Sequence, residues 1–551
     1  MKPNTMKRMT IAALMWMALT PFVTQAQKPA TLPLQNGENI AVVATNSGKV
    51  RGYIHNGIYT YKGIPYAQAK RFQAPEKPAP WEGIRSSMTY GPVSPLMTPT
   101  TSVADEIEFL FHHDWGYTNE DCLRLNIWTP GINDGKKRPV MFWIHGGGYT
   151  AGSSQELPSY DGEAIAKKGD VILVSVNHRL NILGFLDLSE YGDKYKGGAN
   201  ASFLDLVMAL QWVKDNISNF GGDPNNVTIF GQSGGGGKVS TLMSSPMAKG
   251  LFHKAIVQSG IWADFQDQQI SKRIGSAVLN ELGLIPSKVD SIQNVPYEKL
   301  VAAGNKALAK VREQLKSEGK SFDGFGLRFG WTPTLDGSFL THHMRDPQAV
   351  ALNSNIPFMI GSTKNEFMNS LRDPKLKKAN ADEVKAFLKK QWGDKTDEYI
   401  AAVKKSYPND TKPSDLADID AFFRPGTVAQ SNARSAAGNP TYVYLFTWQS
   451  PVMDGTYKAI HCIEIPFAMN NVARCEEMVG GGKDAYALAD KMSTAWINFA
   501  KTGDPNHKGL PVWPKYTEAG GATMMFDNVS TVKNHPDKAI LDLVNAAQPG
   551  L

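Results

Sequence analysis

Residues 227–237 read Val-Thr-Ile-Phe-Gly-Gln-Ser-Gly-Gly-Gly-Gly, and this stretch decides the fold. Val227 to Phe230 is a β-branched and aromatic run with the look of a buried strand, and Gly231-Gln232-Ser233-Gly234-Gly235 follows at once in the spacing G-x-S-x-G. Lys238 to Met243 then reads as the start of a helix. A serine on so tight a strand-to-helix turn takes a strained backbone, and small residues two positions before and after it avoid collision. The turn lifts the Ser233 hydroxyl clear of the sheet and sets the Gly234 amide at a helix N-terminus, where it can stabilise negative charge. Glycine-rich turns with a serine are ordinary by themselves. A nucleophilic serine also needs a base, an acid that orients the base, and donors for an oxyanion, each just past the carboxyl end of a strand.

Those partners can be sought strand by strand. Val140 to Ile144 is a continuous apolar run that stops at His145-Gly146-Gly147-Gly148, the layout of an oxyanion loop, so the amides of Gly147 and Gly148 can join that of Gly234. Each such donor is typically worth ~3 kcal/mol in a transition state. After the serine, Ile356 to Ile360 leads into Gly361-Ser-Thr-Lys-Asn-Glu366, and Thr441 to Trp448 into a loop that reaches His461. In the chain order nucleophile, acid, base, Glu366 is the acid and His461 the base. The rivals have other readings. Asp336 belongs to an Asp-Gly turn; His507 and His535 lie in polar surface segments; no strand leads into His342 or His343; and Glu464 is structural.

The rest of the chain fits one large α/β unit. Val171 to Val176 is a second fully buried run, Asn200 to Ile217 has helical spacing of apolar residues, and Ala255 to Gln258 is a further strand ending at Ser259. Strands buried on both faces and alternating with helices predict a large mixed, mostly parallel sheet covered on both sides. Asn56-Gly57 predicts a tight hairpin near the start. Segments 266–320 and 374–406, rich in Lys, Glu, Ala and Leu, predict helical insertions over the catalytic edge.

Composition narrows the function classes. Lys2, Lys7 and Arg8, then the apolar run Ile11 to Val23 and Thr24-Gln25-Ala26, have the layout of a secretory signal peptide, which predicts cleavage after Ala26 and a secreted or periplasmic protein of residues 27–551 as a single domain. Without those three cations the formal charge falls from +6 to +3, and the basic residues are interspersed with acids, so nothing points to nucleic acid. No later run is long enough for a membrane span, and there is no metal-ligand spacing. Of the three cysteines, Cys122, Cys462 and Cys475, at least one has no intrachain partner; pairing of Cys462 with Cys475 stays open. Trp262, Phe265, Phe325, Phe329 and Trp331 fit either a substrate pocket or the core.

With these residues in hand the chain resembles the type-B carboxylesterase family, which includes cholinesterases and bile-salt-type lipases. The likeness spans nearly all of the chain after residue 26: Lys62-Gly-Ile-Pro-Tyr-Ala67, Glu120-Asp-Cys-Leu-Arg-Leu-Asn126, the His145 to Gly148 run, Phe220-Gly-Gly-Asp-Pro224 and the serine turn. It implies an α/β-hydrolase fold, a serine esterase with Ser233, Glu366 and His461 as triad, and Gly147, Gly148 and Gly234 as oxyanion donors. It further implies a small-molecule ester substrate and no cofactor, buried ion pairs Arg71–Glu120 and Arg179–Asp205, and Ser259 supporting Glu366. Oligomeric state is left open, and a non-catalytic binding module of the cholinesterase-like kind is the alternative. Two departures stand out. Gly91 to Pro95 has no cysteine to pair with Cys122, and Gln232 stands where cholinesterases carry glutamate, which argues against choline esters.

Overall fold

The computed structural model describes residues 33–96, 105–320 and 329–547; the proposed signal peptide and Phe325 lie outside them. Its centre is an eleven-stranded sheet. In chain order the strands are β1 (Tyr53–His55), β2 (Ile58–Pro65), β3 (Arg124–Thr129), β4 (Arg138–Ile144), β5 (Ile172–Val176), β6 (Gly222–Gln232), β7 (Lys254–Gln258), β8 (Phe358–Thr363), β9 (Thr441–Phe446), β10 (Ala522–Phe526) and β11 (Thr531–Asn534). In space they lie in the order 1-2-3-5-4-6-7-8-9-10-11. Strands β4 to β10 are mutually parallel, whereas β1 to β3 at one end and β11 at the other run antiparallel to their neighbours. Asn56-Gly57 makes the two-residue hairpin, both residues at positive φ and His55 opposite Ile58.

Alternation along single strands explains why both faces are covered. Val140, Phe142 and Ile144 of β4 enter one apolar core, and Met141 and Trp143 the other. On β9, Val443 goes to the first core and Tyr442, Tyr444 and Phe446 to the second. With a side-chain period of two, a strand apolar at every position must be roofed on both sides.

Strand order then fixes where a site can form. The chain leaves β4 toward β5 on one side, and leaves β6 toward β7 on the other, although β4 and β6 are neighbours. Connections that diverge from adjacent parallel strands open a crevice at their carboxyl ends. Ile144 pairs with Gly231 at that edge, so residues 145–148 and the serine turn leave the sheet side by side.

The insertions are helical. Segment 266–320 holds Gln268–Glu281 and Tyr297–Ser317, preceded by Gln266–Asp267, which pairs in parallel with Thr334–Leu335. Segment 374–406 holds Ala381–Trp392 and Thr396–Ser406, the first closed by a capping box between Asn380 and Glu383. Leu376, Val384, Leu388, Trp392, Tyr399 and Val403 gather in a third core with Ile540, Leu543 and Val544 of the helix Lys538–Ala547, against Leu445 and Met525.

Candidate active site

β6 ends at Gln232, and Ser233 turns the chain at φ 58°, ψ −125° into the helix Gly234–Met243. A non-glycine residue there is strained by about 1–3 kcal/mol and is held only by its surroundings. Those surroundings are backbone: the Ser233 amide donates to Gln258 O at 2.9 Å and its carbonyl accepts from the Gly237 amide at 3.0 Å. The turn fits because side chains are missing from it. A methyl on Gly234 would stand 2.5 Å from the amide nitrogen of Gly148, and one on Gly146 would stand 3.4 Å from Ser233 Cβ. Gly147, at φ 79°, has no room for a Cβ beside Ala151. Of the three expected oxyanion donors, Gly234 and Gly148 are thus in backbone contact, Gly147 precedes Gly148 in the same loop, and Gly147 and Gly148 are exposed.

The expected acid and base also meet. Glu366 is wholly buried on the loop after β8; its Oε2 is hydrogen-bonded to Nδ1 of His461, and its Oε1 accepts from Ser259 Oγ at 2.5 Å and from the Thr363 amide at 2.8 Å. The His461 amide in turn donates to Glu366 O at 3.1 Å. Gln232 links this pair to the serine turn: its side-chain nitrogen lies 3.4 Å from both ring nitrogens of His461, and its Oε1 accepts from Cys462 Sγ at 3.2 Å. The Ser233 hydroxyl, half-buried, makes no hydrogen bond among the described residues.

Electrostatics around the imidazole are set by burial and acids. Burial alone would lower the basicity of His461, but Cys462 and Glu366 override it and hold the ring well above the ordinary imidazole range. Burial also pushes the Cys462 thiol up, so at neutral pH it is uncharged and Glu366 is the partner that counts. Two further buried carboxyls flank Glu366: burial and that neighbour push Glu464 and Asp420 each up to about 7. Phe423 and Phe367 cover the ring, with centroids 5.1 Å and 4.7 Å away.

Other expected residues fall into place apart from the chemistry. Asp336 caps its own turn through Ser338 and Leu340 amides, His507 and His535 approach backbone carbonyls of Lys491 and Ala519, and His343 accepts from the Phe265 amide. Trp262, Phe265, Phe329 and Trp331 belong to the first core. Arg179–Asp205 is a fully buried bidentate pair, at 2.6 and 2.8 Å, whereas Arg71–Glu120 keeps one side toward solvent. All three cysteines are free thiols. Glu464 is buried beside the site, and the burial of Asp420 and Lys238 has no signal in the sequence; the spacing of Glu464, three residues after the expected base His461, was the one available signal. Among the described residues no cluster is suited to a metal and no helix is long and apolar enough to cross a membrane.

Comparison with known proteins agrees with this geometry. The model of the carboxylesterase family matches residues 39–544. The chain is 34% identical over 503 residues to para-nitrobenzyl esterase of Bacillus subtilis, covering 90% of this chain and 96% of that protein. It is 34% identical over 491 residues to phenmedipham hydrolase of Pseudarthrobacter oxydans, covering 86% and 92%. Among solved structures, an esterase of Clostridium hathewayi that can hydrolyse aliphatic aromatic polyesters superposes with a TM-score of 0.80 at 40% identity, over 93% of this chain and 99% of that one. Sheet order, serine turn and sequence likeness over nearly the whole length agree, and the chain belongs to the carboxylesterase family, as a carboxylic ester hydrolase of the α/β-hydrolase fold.

Proposed function

We propose that ester cleavage runs through Ser233 as nucleophile, His461 as general base and acid, and Glu366 as the group that orients the ring. Ser233 Oγ attacks the ester carbonyl carbon while its proton passes to His461 Nε2, and the amides of Gly147, Gly148 and Gly234 hold the oxyanion. Collapse breaks the bond to the leaving oxygen, which takes the proton from His461. Water then repeats the sequence on the acyl-enzyme and frees the acid. Ser259, bonded to the far oxygen of Glu366, keeps that carboxylate from rotating away. The observation that carries this reading is the Glu366–His461 pair tied by Gln232 to the turn that bears Ser233.

The substrates proposed are small to medium or aromatic esters. The relatives that act on p-nitrobenzyl esters and aliphatic aromatic polyesters support the aromatic arm. The leader-like residues 1–26 support export and cleavage after Ala26. A fluorophosphonate probe should label Ser233 stoichiometrically, and S233A should lose turnover by about 10⁶-fold; an alanine variant that still cleaves an activated aryl ester would refute the assignment. A rate series over acyl length and aryl against alkyl alcohols reads the substrate class, and N-terminal sequencing of exported protein reads the cleavage point.

A further inference from the structure

Four glycines open the helix after Ser233, so the first side chain it carries is that of Lys238. That side chain is fully buried, and its Nζ donates to the carbonyl of His145 at 3.1 Å. His145 is the last residue before Gly146-Gly147-Gly148, so the bond falls on the peptide through which β4 enters the oxyanion loop. The His145 ring stacks on His178 at 5.0 Å. His178 Nδ1 lies 2.9 Å from Ser202 Oγ, and the Nε2 atoms of both rings are buried without a partner.

This is an expensive place for an amine. Burial pushes Lys238 down to about 7, relieved only by the field of Glu156, and both imidazoles are held well below their ordinary range by burial and by Lys238. An apolar side chain of the same length would fill the slot without that cost. Stability therefore does not account for the amine, whereas its single hydrogen bond points at the loop.

We propose that Lys238 is a positioning residue of the oxyanion hole, fixing the His145 carbonyl so that the amides of Gly147 and Gly148 converge with that of Gly234. The proposal rests on the reading of Ser233 as nucleophile. At the other end the loop is closed by the Ala151 amide, which donates to Gly147 O at 3.0 Å; Lys238 supplies the near end. Two consecutive glycines at positive φ have little of their own to hold them. A donor displaced by a fraction of an ångström loses the forming oxyanion but not the ground-state ester, so the effect belongs to kcat.

The test compares K238M, which removes the donor, with K238Q, which keeps one. Rates are taken per serine titrated with a fluorophosphonate, alongside thermal unfolding and the Ki of a trifluoromethyl ketone that forms a hemiketal oxyanion on Ser233. K238M is expected to lose about 10- to 100-fold in kcat with KM within about twofold, to bind the ketone correspondingly more weakly, and to unfold at the same or a higher temperature. K238Q should recover much of kcat. Unchanged kcat per labelled serine in K238M would overturn the proposal, and so would a K238M chain that fails to fold or melts markedly lower, because the amine would then be structural. Absence of labelling in the unsubstituted chain would instead remove the nucleophile assignment itself.

Discussion

Phe423 lies flat against His461, ring centroids 5.1 Å apart and planes within 5°. An aromatic face favours the cationic imidazole, by about 0.5–2 kcal/mol, and so acts in the same direction as Glu366. In the proposed mechanism the neutral ring accepts the proton of Ser233. A ring that Glu366 raises above the ordinary imidazole range therefore moves the acid limb of kcat/KM to higher pH than a free imidazole would give, with activity lost as pH falls through it. F423L is expected to move the limb to lower pH by about half a unit to one unit, read from kcat/KM profiles of an uncharged ester. An unmoved limb would remove Phe423 from the account.

Gly234 touches Gly148 closely enough that any side chain at 234 must push the oxyanion loop away. G234A is expected to lower kcat by about 10²–10³-fold with a much smaller change in KM, the signature of a lost oxyanion donor. Steady-state kinetics on one aryl ester checks it. A change confined to KM would mean that the two loops do not share the oxyanion.

The two ion pairs should differ in worth. Arg179 and Asp205 are both wholly enclosed, and Arg179 also donates to Gln73 O at 2.8 Å, so R179A leaves a carboxylate without its counter-ion and is expected to cost about 3–5 kcal/mol. Glu120 is 35% exposed, and water can replace part of what R71A removes, so its cost should be smaller. Denaturant titrations of the two variants rank them; equal losses would show that exposure at Glu120 does not matter.

With every cysteine a free thiol, reductant has no bond to break. Thermal unfolding with and without dithiothreitol should coincide, and thiol titration of the denatured chain without reductant should find all three groups. A lower melting temperature under reducing conditions would reveal a cross-link between Cys462 and Cys475.

What the sequence made legible followed strong local rules. Apolar runs that stop at Gly-rich or Gly/Ser turns marked β4, β6 and β7, and their carboxyl ends carry the expected residues because side chains that leave a parallel sheet there have nowhere else to converge. Ends were less legible than interiors. β6 begins at Gly222, well before Val227, because Arg138 of β4 pairs with Gly222 across a register irregularity that no local pattern announces. β8 starts at Phe358 and runs to Thr363, as pairing with β9, through Thr363 opposite Phe446, carries it past the apolar run. Asp420, Glu464 and Lys238 lie at 0–7% exposure, although such residues usually face water. Their burial is a product of tertiary closure around the site, and composition or periodicity cannot foretell it.

The insertion at 374–406 closes on a core in which Leu376, Val384, Leu388 and Trp392 pack with Ile540, Leu543 and Val544 of the last helix and with Leu445 and Met525 of the sheet. Grafting is the practical outcome. That segment and the last helix, Lys538–Ala547, cover each other through Ile540, Leu543 and Val544, so a graft that replaces one must reproduce the apolar face that the other leans on.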